Sequence, residues 1–265
     1  MKKITSLLLL LCFVCLWAEA QEKKNESVQA VAFNKEAFDL LNLNYPGLEK
    51  VKDACNNGNM EDATRFLLDY YRMRKGVVNP AVDLKNISVS KTDQQWADDA
   101  LKHTFFAHKG YLPAYNYGED INWQYWPVKD NELRWQLHRH KWFTPMGKVY
   151  QITKDEKYAK EWIYQYLDWI KKNPLKQISL DAYEIYDLEG VAGIAENVRF
   201  AWRPLETSHR LQDQINQFTL FVESPSFTPS FLTEFLVNYR RQPSSSIISV
   251  PLGLKHCNNT LLSPG

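Results

Sequence analysis

The sequence predicts a mainly α fold built from antiparallel helix pairs, and three observations carry that expectation. The first is period: Tyr158, Trp162, Tyr166 and Trp169 recur at steps of four, four and three, with Ile163, Leu167 and Ile170 beside them. The second is punctuation, because Asn57-Gly58, Gly76, Thr153 to Asp155 and Asn173-Pro174 each interrupt a helical run. The third is the scarcity of apolar–polar alternation, the only weak strand candidate being Ile178 to Ile185. Helices with large apolar faces that follow one another closely pack as a layered or toroidal array. No short solenoid repeat is present.

The elements follow in chain order. Lys2 and Lys3, the apolar run Leu7 to Trp17 and the small-x-small stretch Ala18-Glu19-Ala20 form the pattern of a signal peptide, cleaved after Ala20. The run is too short, and its sequel too polar, for a membrane anchor, so a periplasmic or secreted location is expected. Residues 21–37 read as a flexible mature N-terminus. A short helix fits Leu48 to Asn56, and Asn59, with Asp62 at the favourable third position, caps a second from Met60 to Lys75. Leu84 to Thr92 reads as loop and Asp93 to Phe105 as a third helix. Asn131 to Ile152 reads as one helix with Trp135, Trp142, Met146 and Val149 near one face. The Tyr158–Trp169 helix follows, then one that Pro204 opens and that reaches Val222. Thr228 with Pro229 caps a last one, Ser230 to Tyr239.

At 265 residues the chain can hold one domain with a sizeable core, and a formal charge of +1 gives no global field for nucleic acid. Attraction for an anion must therefore be local. Aromatic residues make up 14%, and their rings serve equally as core filler or as sugar-stacking platforms. Removal of the signal peptide leaves Cys55 and Cys257, which form neither a disulfide scaffold nor a zinc cluster. No metal or other cofactor is expected.

Two segments combine indoles with cations. In the first, Asn122, Trp123 and Trp126 lie on the loop before the Asn131 helix. A flat indole can stack on a sugar ring while Asn122 and Gln124 bind hydroxyls, or both tryptophans can plug helix ends. Arg134, His138 and Lys141 follow at i, i+4 and i+7, which places them on one helix face. A solvated stripe needs no function, but only Glu132 offers an acidic partner nearby, which favours an anion-facing stripe. In the second segment Arg199, Trp202 and Arg203 gather before a helix start, where free N–H groups also favour anions. Guanidinium groups bind carboxylate or sulfate oxygens in pairs. Arg210 can pair with Glu206 and Asp213 along its own helix, and His209, one turn from Asp213, is either a ligand contact or a structural histidine.

The strings INWQYWPVKDNELRWQLHRHKWFTPMGK and ENVRFAWRPLETSHRLQDQINQFTLFVESPSFTPSFLTEFLVNY resemble the N-terminal portion of a bacterial heparinase III, of the heparinase II/III group, and the likeness runs over 38–239. The resemblance implies an incomplete, here truncated, α/α toroid of an exported lyase that cleaves heparan sulfate or a related uronic-acid polysaccharide by β-elimination. That chemistry neutralises a uronate carboxylate, removes the adjacent C5 proton and protonates the leaving oxygen. With the two indole-and-cation segments, the resemblance leads to expected substrate contacts at Asn122, Trp123, Trp126, Arg134, Arg199, Trp202, Arg203 and His209, an acidic polysaccharide as partner, no nucleic acid, and a monomer. The family's Asn-His pair, tyrosine and later histidine lie beyond the likeness, so no catalytic residue is assigned. From Arg240 to Gly265 the chain has no aromatic residue and no Asp or Glu, and Pro243, Pro251 and Pro264 punctuate it. This stretch is expected to be an atypical tail, disordered or frameshifted, that packs poorly. The alternative to a lyase is a non-catalytic remnant that binds acidic glycans weakly.

Overall fold

Helices are nucleated where the sequence supplies caps. Asn59 Oδ1 accepts from the Asp62 amide at 3.1 Å while its Nδ2 donates to the Asp62 carboxylate, and Ser90 and Asp93 close a reciprocal capping box. Asp130 and Asp155 accept from amides two residues ahead, and Thr228 Oγ1 accepts from Phe231. The computed structural model describes residues 32–74, 79–105, 114–128, 130–174 and 200–247. Within them run α1 (Glu36–Asp39), α2 (Glu49–Asn56), α3 (Met60–Met73), α4 (Lys91–Ala100), α5 (Asn131–Leu137), α6 (Phe143–Thr153), α7 (Glu156–Lys172), α8 (Pro204–Phe221) and α9 (Pro229–Ile247). Two short strands, β1 (Thr104–Phe105) and β2 (Tyr115–Asn116), pair antiparallel with Phe105 opposite Tyr115. The weak strand candidate Ile178 to Ile185 lies outside the described residues.

Helix α2 packs on α3, α3 on α9, α9 on α8, α8 on α6, and α6 on both α4 and α7. The stripe read from the sequence fills the centre: Trp162 is fully buried, stacked 4.3 Å from Phe221 and edge-on to Phe231 at 5.3 Å. Tyr166 and Trp169 are buried beside it. Gly147 lets α6 approach α8, because a Cβ there would lie 2.8 Å from Leu220 Cβ. Arg72 clips the far end of α8 by donating to the carbonyls of Val222, Ser224 and Phe227 at 2.8, 2.9 and 3.1 Å, where a helix C-terminus favours a cation.

Four sequence expectations are corrected. The helix expected from Asn131 to Ile152 is two helices, because Pro145 stands in the first turn of α6, where a missing N–H is harmless. In one long helix it would have met the carbonyl of Lys141. Between the two, His140 takes a φ of 53° and turns the chain. The helix expected to reach Phe105 ends at Ala100, since His103, at φ 51°, redirects the chain into β1. The N-terminal stretch expected to be flexible as far as residue 37 is held near its end: Asn34 N donates to Thr233 Oγ1 at 2.8 Å, Asn34 Nδ2 donates to Glu234 at 2.9 Å, and Ala37 is buried. The last helix does not stop at Tyr239 but runs to Ile247, and Gln242 is buried against Gln214 and Arg210. The early part of the expected poorly packed tail is thus ordered by two buried amide hydrogen bonds. The signal-peptide span and residues 248–265 lie outside the described residues.

Candidate functional site

The two indole-and-cation segments meet across α5. The Arg134 guanidinium lies 4.7 Å from the Trp126 ring and 3.5 Å from the Phe200 ring. On the neighbouring position Trp135 carries the Arg203 guanidinium at 3.9 Å. Arg203 is the N-cap of α8, and Glu206, fully buried in the first turn, sits between two cations. Arg139 Nη2 donates to Glu206 Oε1 at 2.9 Å, and Arg203 Nη1 stands 3.7 Å from Glu206 Oε2. Arg139 Nε, Arg203 Nη1, Glu206 Oε2 and Trp135 Nε1 are buried atoms with no hydrogen-bond partner. Among the described residues Arg139 is shared between Glu206 and Glu132, the latter 3.7 Å away.

Beside this cluster is a cavity of about 340 Å³ lined by Asp120, Ile121, Asn122, Trp123, Gln124 and Lys172. Lys172 Nζ closes one wall, donating to Asp120 at 2.5 Å and to the Ile121 carbonyl at 2.9 Å, and pairing with Asp168 at 3.0 Å. The Lys172 ammonium holds the Asp120 carboxyl below its usual range. Asn122 is exposed, and its Oδ1 accepts from the Gln124 amide at 3.0 Å. Gln124 donates to Asn173 while its Oε1 is buried without a partner.

Of the sequence candidates, Trp126 presents a ring at 39% exposure, and Arg134 and Arg203 join the stacked cluster. Asn122 lines the cavity. Trp123 does not offer a platform: it is buried, donates to Asp168 at 2.8 Å, and is nearly parallel to Phe105 and Trp142 in one aromatic stack. Trp202 is likewise core, donating to the Asn173 carbonyl at 3.0 Å and packing 5.2 Å from Trp169. The proposed stripe of Arg134, His138 and Lys141 does not exist, because α5 ends at Leu137 and both Arg134 and His138 turn inward. Lys141 pairs with Asp213 at 2.7 Å. His209 is half-buried, and its titration is pushed down by burial and then by Arg139 and Lys141, which places it in the same positive neighbourhood. Arg199 lies outside the described residues. Sequence reasoning missed Tyr125, 44% exposed between cavity and cluster, and Arg139. Arg139 carried a signal, as a cation two residues past the end of a short helix, whose acidic partner lay in the other segment.

Below the cluster lies a polar layer within the core. Arg210 is 1% exposed, packs 4.5 Å from Trp169 and 5.0 Å from Trp202, and donates to the His138 carbonyl at 2.9 Å. It does not pair with Asp213, as its own helix would have allowed. Trp169 Nε1 donates to His138 Nδ1 at 3.1 Å. Burial, then Arg210, holds His138 and His140 well below the ordinary imidazole range, so both rings are neutral.

The paired, layered helices are those of part of an α/α toroid. Residues 37–245 match the heparinase II/III N-terminus, and the chain belongs to that family. It is 60% identical over 239 residues to the heparin-sulfate lyase of Bacteroides stercoris, which covers 90% of this chain and 34% of that one. It is 46% identical to the heparin-sulfate lyase of Pedobacter heparinus, covering 82% and 31%. Among solved structures, a heparinase III with methylated lysines superposes with a TM-score of 0.76 at 63% identity, covering 84% of this chain and 35% of that one. Heparan sulfate lyase HepC from Pedobacter heparinus gives a TM-score of 0.69 at 44% identity, covering 84% and 33%. The fold is therefore that of an α/α toroid, and the chain spans about a third of the length of these relatives, their N-terminal portion. The family likeness continues past Tyr239, to residue 245.

Proposed function

We propose that this chain is the N-terminal toroid portion of an exported polysaccharide lyase, and that its Trp126–Arg134–Arg203–Arg139 face holds an acidic glycan such as heparan sulfate. The observation that supports this reading most directly is the pair Arg139 and Arg203. Each keeps a buried N–H without an acceptor although Glu206 stands between them. The Arg203 side chain as a whole is partly exposed at the start of α8, where a guanidinium can bind sulfate or carboxylate oxygens in pairs. Tyr125 and Trp126 supply exposed rings for sugar faces, and Asn122 and Gln124 supply amides at the cavity beside them. Export is supported by Lys2-Lys3, the apolar run and Ala18-Glu19-Ala20. The residues of this face bind and orient; none is given the task of removing the C5 proton, and β-elimination belongs to the whole lyase.

Calorimetry with heparan sulfate oligosaccharide at low salt tests the reading. The chain should bind, and an Arg199→Ala, Arg203→Ala variant that is folded by circular dichroism should bind roughly tenfold more weakly, the worth of one charge-assisted hydrogen bond to the glycan. Equal affinities would remove the arginines from the site. Absorbance of unsaturated uronate would show that the chain itself turns substrate over; binding without that absorbance would favour the non-catalytic alternative.

A further inference from the structure

His103 stands where α4, the loop after β2 and α7 converge, and both of its ring nitrogens face oxygen. Nδ1 is 2.7 Å from the Gly118 carbonyl oxygen, and Nε2 is 2.9 Å from Glu161 Oε1. The ring is 4% exposed and lies 5.8 Å from the Tyr164 ring at 12°, in stacking geometry. A carbonyl and a carboxylate can only accept, so a neutral imidazole can satisfy one of them and must aim a lone pair at the other. The same carboxylate oxygen already accepts from Gln165 Nε2 at 2.9 Å, and Gln165 Nε2 also reaches the Ala100 carbonyl. Gln165 Oε1 accepts from Trp142, so the amide cannot turn round to protonate the network from the other side.

We infer that His103 is held as an imidazolium, and that in this form it is the positioning residue that clamps the Gly118–Gln124 loop, and so the cavity wall it forms, to α7. The backbone completes the clamp: Tyr117 N donates to the His103 carbonyl at 2.9 Å, and Asn122 N donates to the Tyr117 carbonyl at 2.8 Å. Among the described residues, the ionisable groups facing the ring are Glu161 and Tyr164 from α7 and Asp120 from the loop, whose carboxyl responds to His103. Asp168 and Lys172 of α7 pair just beyond them. When His103 gives up its proton, the remaining N–H stays with the carboxylate, the stronger acceptor, and the Gly118 hydrogen bond opens. The loop then loosens while the helices stay packed. The inference is independent of what the cavity binds.

The test uses the 265-residue chain labelled with ¹⁵N at histidine. At neutral pH His103 should show N–H correlations at both ring nitrogens, and the Nδ1 proton should disappear as pH rises. Amide protection factors from Tyr117 to Gln124 should fall about tenfold over the same interval, the worth of one charge-assisted hydrogen bond, while those of α7 hold. Two variants separate the two hydrogen bonds. In His103→Asn, compatible with the positive φ, the amide nitrogen sits near the position of Nδ1, so loop protection should persist and no longer depend on pH. In His103→Gln the amide nitrogen reaches instead toward Glu161, so the loop should be loose at every pH. A single ring N–H at neutral pH, or loop protection that does not change as the ring titrates, overturns the inference even if both variants fail to fold.

Discussion

Arg203, the N-cap of α8, and Arg210, two turns into the same helix, are used in opposite ways. Arg210 directs Nε to Gln242 at 3.2 Å, Nη1 to the His138 carbonyl and Nη2 to Thr207 at 3.2 Å, with Trp169 and Trp202 packed against its plane. Arg203 covers Trp135 but leaves Nη1 without a hydrogen bond, 3.7 Å from Glu206. A buried guanidinium whose donors are used ties helices together. One that is partly exposed at a helix start, near open rings, has room to meet an anion. What separates the scaffold arginine from the proposed glycan contact is exposure and the state of the donors, not the charge or a neighbouring tryptophan, which both arginines have.

The largest expected effect breaks the scaffold side of that comparison. Arg210→Ala should lower unfolding stability by about 3–5 kcal/mol in urea, because it strips the donors from Gln242 and the His138 carbonyl and opens a gap between two indoles. A decrease under about 1 kcal/mol would show that Arg210 is no tie at all.

Acid should attack the same corner. His138 and His140 are neutral when folded and become protonated when the chain unfolds, so the unfolded state binds more protons as pH falls. Their contribution is complete above the ordinary imidazole value of about 6.5 and disappears below it, at up to about 1.4 kcal/mol per pH unit for each ring. Urea titrations at pH 7, 6 and 5 read this slope, and His138→Gln should make it shallower by about half. A flat profile across that interval would mean the rings are not held neutral.

Gly147→Ala supplies a scaffold lesion remote from both arginines. Its Cβ would press on Leu220, so α6 and α8 must separate, at about 1–3 kcal/mol. Glycan affinity should be unchanged in the fraction that remains folded; a parallel fall in affinity would show that binding reports only global stability.

The contrast between the arginines also marks how much was legible in the sequence. The Tyr158–Trp169 stripe predicted α7 and its buried face because a period of 3.6 depends only on residues within the helix. Asn59, Pro204 and Thr228 gave their helix starts for the same local reason. The division of labour among tryptophans was not legible: Trp123 and Trp126 share a loop, yet one stacks on Phe105 and the other faces solvent, and only long-range packing decides which. Arg139 and Glu206, far apart in sequence, form their pair only after α5 and α8 converge. The break before α6 was legible in Pro145, but the aromatic spacing from Trp135 to Val149 masked it. That break matters for the site, since it turns His138 inward and leaves Arg134 to pack between Trp126 and Phe200.

The smallest expected effect tests the site side most narrowly. Arg203→Lys keeps the positive charge at the start of α8 but replaces a flat fork with a compact ammonium that cannot lie on Trp135 in the same way. Stability should change by less than about 0.5 kcal/mol, because Arg203 is partly exposed and its approach to Glu206 is long. Affinity for a sulfated oligosaccharide should fall about threefold to tenfold, since a guanidinium meets two oxygens where an ammonium offers a point charge. The dependence of affinity on salt should stay the same, because the number of charges engaged is unchanged. If Lys restores the full affinity of Arg, the face attracts glycans by charge alone and the unused Nη1 has no special role. If Arg203→Ala and Arg203→Lys weaken binding alike, fork geometry rather than charge is what Arg203 supplies, and it is then distinguished from Arg210 by where its hydrogen bonds end: in the ligand, not in the fold.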